Sequence, residues 1–184
     1  MSRETLWFHF SRHQRTCFEP AAALIRGSEL DRLELADIVV RTSRLPSQRD
    51  LFRHVAGLWN HQFYWQSMCP GGGGLPHGPV SAAIDRCFGS YEGFVREFMC
   101  SAANCHGSGW IWLTVHQGDV RIVVTANSDC PLVLGQTVLL GLDLWEHAFY
   151  LDHQNRRAEY VRSFLEDLVN WDFANRNFES ARPQ

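Results

Sequence analysis

From Glu4 to Arg26, apolar side chains recur at Leu6, Phe10, Cys17, Ala21 and Leu24, close to helical spacing, and Gly27 with Ser28 follows as a stop signal. A similar pattern continues from Glu29 to Val40. Gln48 to Met68 forms a further helical run in which Leu51, Val55, Leu58, Gln62 and Trp65 stack at intervals of three and four. The stretch CPGGGGLPHGP at 69–79 ends this regime, because consecutive glycines and three prolines cannot continue a helix. It reads as a plain linker dividing the chain into 1–70 and 79–184, since no Lys-Ser or Lys-Thr follows the glycines to make a phosphate cradle. Two short helical patterns come next, near 79–87 and 90–104. GWIWLTV (109–115) and VRIVVTA (120–126) are then rich in β-formers and joined by the hairpin signal HQGD, TVLLGLD (137–143) supplies a third strand, and a helical tail runs from about Ala158 to Asn177. Helices followed by helices around a small antiparallel sheet define an α+β chain.

Composition and charge narrow the function classes. With 184 residues, 45% hydrophobic and 20% charged, the chain has ample material for a core, and it contains no uninterrupted apolar run of the about eighteen residues that span a membrane. The formal charge of −3 with scattered arginines gives no general attraction to nucleic acid or to an anionic membrane, so neither is expected as a partner. MSRETLWFHF carries no secretory pattern, which points to the cytoplasm, or to the mitochondrion if a leader has been removed. Six cysteines are expected as reduced thiols. Cys100, Cys105 and His106 are weak candidates for zinc, lacking a C-x-x-C pair.

Nine histidines are more than packing needs. Candidate ligands come from separate segments: His9 and His13 four apart on the first helix, His61 in LWNHQFYW, and Asp143 with His147 in GLDLWEHAFY. Any one of these alone is more often a hydrogen-bonded structural group or a surface pair. Burying a carboxylate with several imidazoles costs several kcal/mol unless they pair or ligate a cation, and three neutral imidazoles with one carboxylate suit iron or manganese. A di-metal carboxylate bundle would need paired Glu-x-x-His motifs, whereas Glu146 and His147 are adjacent.

LWNHQFYW (58–65), GSGWIWL (107–113), DLWEHAFYLDHQNRRAEY (143–160) and VNWDF (169–173) closely resemble the signatures of the iron/manganese superoxide dismutases, over nearly the whole chain. The resemblance implies an N-terminal α-helical hairpin packed on a C-terminal α/β domain with a three-stranded antiparallel sheet, and one iron or manganese ion per subunit held by His9, His61, Asp143 and His147. It implies disproportionation of superoxide to dioxygen and hydrogen peroxide, the metal alternating between its trivalent and divalent states. It also implies a homodimer or tetramer in which Tyr150 reaches across the interface and Glu146 hydrogen-bonds the partner's metal-ligating histidine. By the same match His13 is a gateway residue beside the substrate funnel, Arg157 and Arg12 are basic residues near its entrance with Arg15 a further candidate, and Trp59, Trp65, Trp110, Trp112 and Trp145 form the apolar wall.

Three departures stand out. The family's gateway tyrosine falls at Cys17, with Gln14 where a second histidine is usual. The glutamine that hydrogen-bonds metal-bound solvent is found neither at the position of Gly57, as in iron-type members, nor at that of Ser128, as in manganese-type members, which leaves the metal open. The extended segment that usually precedes the first helix is short here, either trimmed or lost. The competing reading is the same fold serving as a non-catalytic structural or interaction subunit, for example of a mitochondrial ribosome.

Overall fold

The computed structural model describes residues 1–181. The first predicted helix is three consecutive pieces: α1 (Arg3–Phe8), a π-helical segment (His9–His13) and α2 (Gln14–Ile25). Ser2 caps α1, its Oγ accepting from the Thr5 amide at 3.1 Å. A 3₁₀ turn at Glu29–Arg32 leads to α3 (Leu35–Ser43) and then to α4 (Arg49–Gln66), which packs on both α2 and α3. The buried line of α4 runs through Val55, Ala56, Leu58, His61 and Tyr64, while Gln62 of the predicted stack faces solvent. On the first helix Leu6, Phe10 and Leu24 are exposed, and the buried positions are Thr5, His9 and Ala21.

The glycine-rich stretch is docked rather than slack. The Cys69, Gly73 and Gly74 amides donate to the carbonyls of Leu168, Val169 and Glu166, at 2.9, 2.8 and 3.1 Å. A Cβ on Gly73 would collide with the Glu166 carbonyl. The same contact splits the predicted tail helix in two. Met68 forms an isolated bridge with Val169, and Asn170 turns to cap the following helix, accepting from Phe173 N at 3.1 Å. The C-terminal part therefore holds α5 (Gly78–Phe88), α6 (Tyr91–Ala103), α7 (Tyr150–His153), α8 (Arg157–Asp167) and α9 (Trp171–Ser180) around the sheet.

That sheet consists of β1 (Gly109–His116), β2 (Asp119–Ala126) and β3 (Thr137–Asp143) in the order β2-β1-β3, antiparallel throughout. Gln117 and Gly118 make a two-residue turn with positive φ at both positions, 52° and 85°, the primed geometry that matches the strand twist. Strand β1 is buried along its length except at His116, and Trp110 and Trp112 stack at 5.4 Å between ring centroids. Gly141 on β3 lies opposite Trp112, where any Cβ would run into the indole ring. Ser67 ties the helical half to this sheet and to the turn before α9: its Oγ accepts from the Gly141 amide at 3.0 Å and its carbonyl from Asn170 N at 2.9 Å.

The close approach at Gly141 predicts that Gly141→Ala forces the Trp112 ring aside and costs about 1–3 kcal/mol. A thermal melt then shows a midpoint lower by roughly 2–4 °C per kcal/mol. A wild-type midpoint would show that the ring yields freely.

Candidate metal centre

Four side chains from four separate elements meet between the two halves. The π segment supplies His9, α4 supplies His61, the last residue of β3 is Asp143, and the short turn after it carries His147. In the π segment the Gln14 amide donates to the His9 carbonyl, an i→i+5 bond that changes the rotation between successive side chains where the site lies. The Asp143 carboxylate is fully buried. Its Oδ1 accepts from Trp145 N at 2.9 Å, which fixes the plane of the group. Its Oδ2 lies 3.0 Å from His147 Nε2, 3.2 Å from His9 Nε2 and 3.6 Å from His61 Nε2.

The protonation pattern follows from the partners. His61 Nδ1 is 2.6 Å from the Gly57 carbonyl, which can only accept, so Nδ1 carries the proton and Nε2 presents a lone pair to the site. Burial lowers the His61 pKa to about 4, against the pull of Asp143 in the other direction. His13, stacked on His147 at 3.6 Å between centroids, is likewise lowered to about 4 by burial and by the neighbouring imidazoles. Burial alone pushes the Asp143 carboxyl up, but the His147 hydrogen bond and the close approach of the His147 and His9 imidazoles outweigh it and hold the group well below the usual carboxylate range.

One test separates a metal site from an ordinary buried cluster. His9 Nε2 and His61 Nε2 are within ion-pair distance of the carboxylate, yet neither has hydrogen-bond geometry, and both are buried without any hydrogen-bond partner. Lone pairs directed at a common point rather than at one another need a cation there. One ligand atom from each of His9, His61, Asp143 and His147 lies within 4.8 Å of the others, the only such group among the described residues. Three imidazoles and a carboxylate suit a first-row ion such as iron or manganese. Cys100, Cys105 and His106 form no such group, and all six cysteines are free thiols.

Three of the five tryptophans expected around this cluster meet its histidines, Trp145 at 5.7 Å from His147 among them, while Trp59 and Trp112 pack against each other. Trp65 lies 4.8 Å from His9 and Trp110 5.2 Å from His61, while Gln14 Oε1 accepts from Trp65 Nε1 at 3.0 Å. The tyrosine pair Tyr64 and Tyr160, hydroxyls 3.0 Å apart and fully buried, joins α4 to α8 beside His9; its members are far apart in sequence, and only LWNHQFYW hinted at one of them. Glu146 and Tyr150 are exposed on this chain. With His147 and Arg157 they line a cleft of about 650 Å³. Arg157 is held there by Nη2 donating to the Cys105 carbonyl at 2.6 Å, and Arg12 lies over the Trp7 ring at 5.0 Å. The three positions that depart from the expected pattern meet in one place: a Cβ on Gly57 would be 3.1 Å from Cys17 Sγ and 3.8 Å from Ser128 Oγ. Burial pushes the Cys17 thiol pKa up, away from the reactive thiolate.

A protein with a buried three-histidine, one-aspartate site suited to a first-row metal ion, set between a helical hairpin and a three-stranded α+β half, is the class these features define. Residues 1–69 match the alpha-hairpin domain, and residues 76–177 the C-terminal domain, of the iron/manganese superoxide dismutases. The chain belongs to that family. It is 42% identical to a superoxide dismutase [Fe] of Synechococcus elongatus over 98% of this chain and 90% of the relative. It is also 41% identical to the chloroplastic superoxide dismutase [Fe] 1 of Arabidopsis thaliana over 99% and 86%, and 42% identical to the superoxide dismutase [Fe] of Bordetella pertussis over 97% and 90%. No helix among the described residues is long and apolar enough to cross a membrane.

The lowered histidines set the acid limit of the metal-free protein. Unfolded, His13 and His61 protonate near pH 6.5; folded, they stay neutral to about pH 4. The unfolded state therefore binds more protons once the pH drops below about 6.5, so stability is full above that point and falls towards pH 4. The urea midpoint of metal-free protein is expected to drop across this window. A flat midpoint would show that the imidazoles are not held neutral.

Proposed function

We propose that this chain is a superoxide dismutase whose resident ion is held by His9, His61, Asp143 and His147. The observation that carries the reading is the set of unpartnered imidazole nitrogens facing a buried carboxylate. When bound, the ion supplies a one-electron couple that oxidises one superoxide to dioxygen and reduces a second, with two protons, to hydrogen peroxide. The relatives named superoxide dismutase [Fe] favour iron over manganese. Asp143 supplies the only formal negative charge among the four donors and so supports the more oxidised state of a cation. The Gly57 carbonyl fixes the His61 ring, and Trp65 and Trp110 keep bulk water from the ligand edges.

His13 stands at the open side of the cluster, half-buried and stacked on His147, where it can pass a proton to a small anion. Arg157 brings positive charge to the cleft beside His147, countering the net charge of −3 for an anionic substrate. In the same reading Glu146 and Tyr150, exposed on one chain, are covered by a second copy in a homodimer, and the functional division of the chain falls between 1–70 and 79–184. A non-catalytic structural subunit is disfavoured by the cost of keeping a buried carboxylate among three imidazoles, which no packing role repays.

Asp143→Asn keeps the shape and removes the charge. The expected result is protein that retains its helical circular dichroism, loses most of its iron or manganese by mass spectrometry, and falls at least about a hundredfold in superoxide-dependent cytochrome c reduction. Full activity in the variant would remove Asp143 from the site. Wild-type protein without metal and without activity would remove the function.

A further inference from the structure

The net charge hides an asymmetry along the first helix. Residues 3–26 carry four arginines, Arg3, Arg12, Arg15 and Arg26, against Glu4 and Glu19, a local charge of +2 that leaves −5 on the rest of a chain totalling −3. All four arginines are exposed. The same segment presents Leu6, Trp7, Phe8, Phe10, Phe18 and Leu24 to solvent, with Trp7 48% and Phe10 58% accessible. Singly exposed apolar residues are ordinary, but six on one helical segment are not.

Local geometry joins the apolar and cationic features. Trp7 and Phe8 meet edge to face at 4.8 Å, and the Arg12 guanidinium lies over the Trp7 ring. Leu6, Trp7, Phe10 and Trp65 line a shallow open cleft in which Ser11 is the only polar residue. Such a cleft offers hydrocarbon contact and almost no hydrogen bonds with which to read a polar peptide. We propose that the exposed face of α1 and α2 is an interfacial docking surface for an anionic lipid bilayer, Trp7, Phe8 and Phe10 entering the headgroup region and the arginines facing lipid phosphates. Aromatic rings favour that depth, and arginine forks match phosphate. The −5 elsewhere on the chain turns the remaining surface away from the membrane, so charge selects this face. The Arg15–Glu19 pair, 3.4 Å and exposed, reduces the attraction without reversing it.

Metal-loaded protein is sedimented with vesicles of phosphatidylcholine alone and of phosphatidylcholine mixed with phosphatidylglycerol, at low and high salt. The expected result is pelleting with the anionic vesicles, weakened by salt, and little with phosphatidylcholine alone. Arg3→Glu with Arg15→Glu weakens binding by about tenfold or more, and Trp7→Ser with Phe10→Ser abolishes it, both variants retaining their metal and circular dichroism. Protein that stays in solution, that binds both vesicle types equally, or that binds undiminished in both variants overturns the proposal. So does a fall in the mass of lipid-free protein in the Trp7→Ser, Phe10→Ser variant, which would assign the face to a second copy instead.

Discussion

A carboxylate that is completely buried has to be answered by charge or by hydrogen bonds, and Asp143 is answered on every side. Oδ1 takes the Trp145 amide and Oδ2 faces three imidazoles, so the end of β3, the π segment and α4 are all bound to one oxygen pair. An isolated buried ion costs several kcal/mol even after relaxation, and the positive charge that offsets it cannot come from His61, which burial keeps neutral. The deficit is met when a cation occupies the point on which the lone pairs converge. The four residues come from both halves of the chain, and the Ser67 bonds and the Tyr64–Tyr160 pair hold the same junction together.

The cluster at Cys17, Gly57 and Ser128 shows how a site can keep its ligands while changing its surroundings. A longer residue at 57 would have to displace the Cys17 sulfur, and a bulky ring at 17 would need the space above Gly57. The positions are therefore sterically coupled: a small residue at one is matched to a particular size at the other. A thiol with a raised pKa is a poor hydrogen-bond donor and a poor nucleophile, so this corner acts chiefly as packing.

The convergence of His9, His61, Asp143 and His147 was legible because these residues sit in short motifs whose residue types are costly to bury unpaired. The strands and the HQGD turn were legible because period and turn chemistry are local. Other features depend on partners distant in sequence. Leu6, Phe10 and Leu24 fit a helical period yet face solvent, since period fixes a stripe but not which stripe meets the core, and here the buried stripe carries Thr5 and His9. The glycine run reads as a linker, and nothing in its sequence announces that Glu166, Leu168 and Val169 will accept its amides. The same pairing broke the tail helix at a point with no proline or glycine to mark it.

Exposure on the first helix follows from its double duty. One face must deliver His9 to the interior with near-zero accessibility, and α4 packs against the α2 part of the same run. The opposite face is released from packing constraints, and a neutral outcome there would be polar residues of mixed sign. Aromatic residues with a local charge of +2, on a chain of −3, instead concentrate both kinds of attraction where the helix projects. Net charge describes how the whole molecule moves in a field, whereas docking depends on the face within a Debye length of the surface, about 8 Å at physiological salt. A negatively charged protein is therefore not barred from an anionic surface when its charges are segregated in this way.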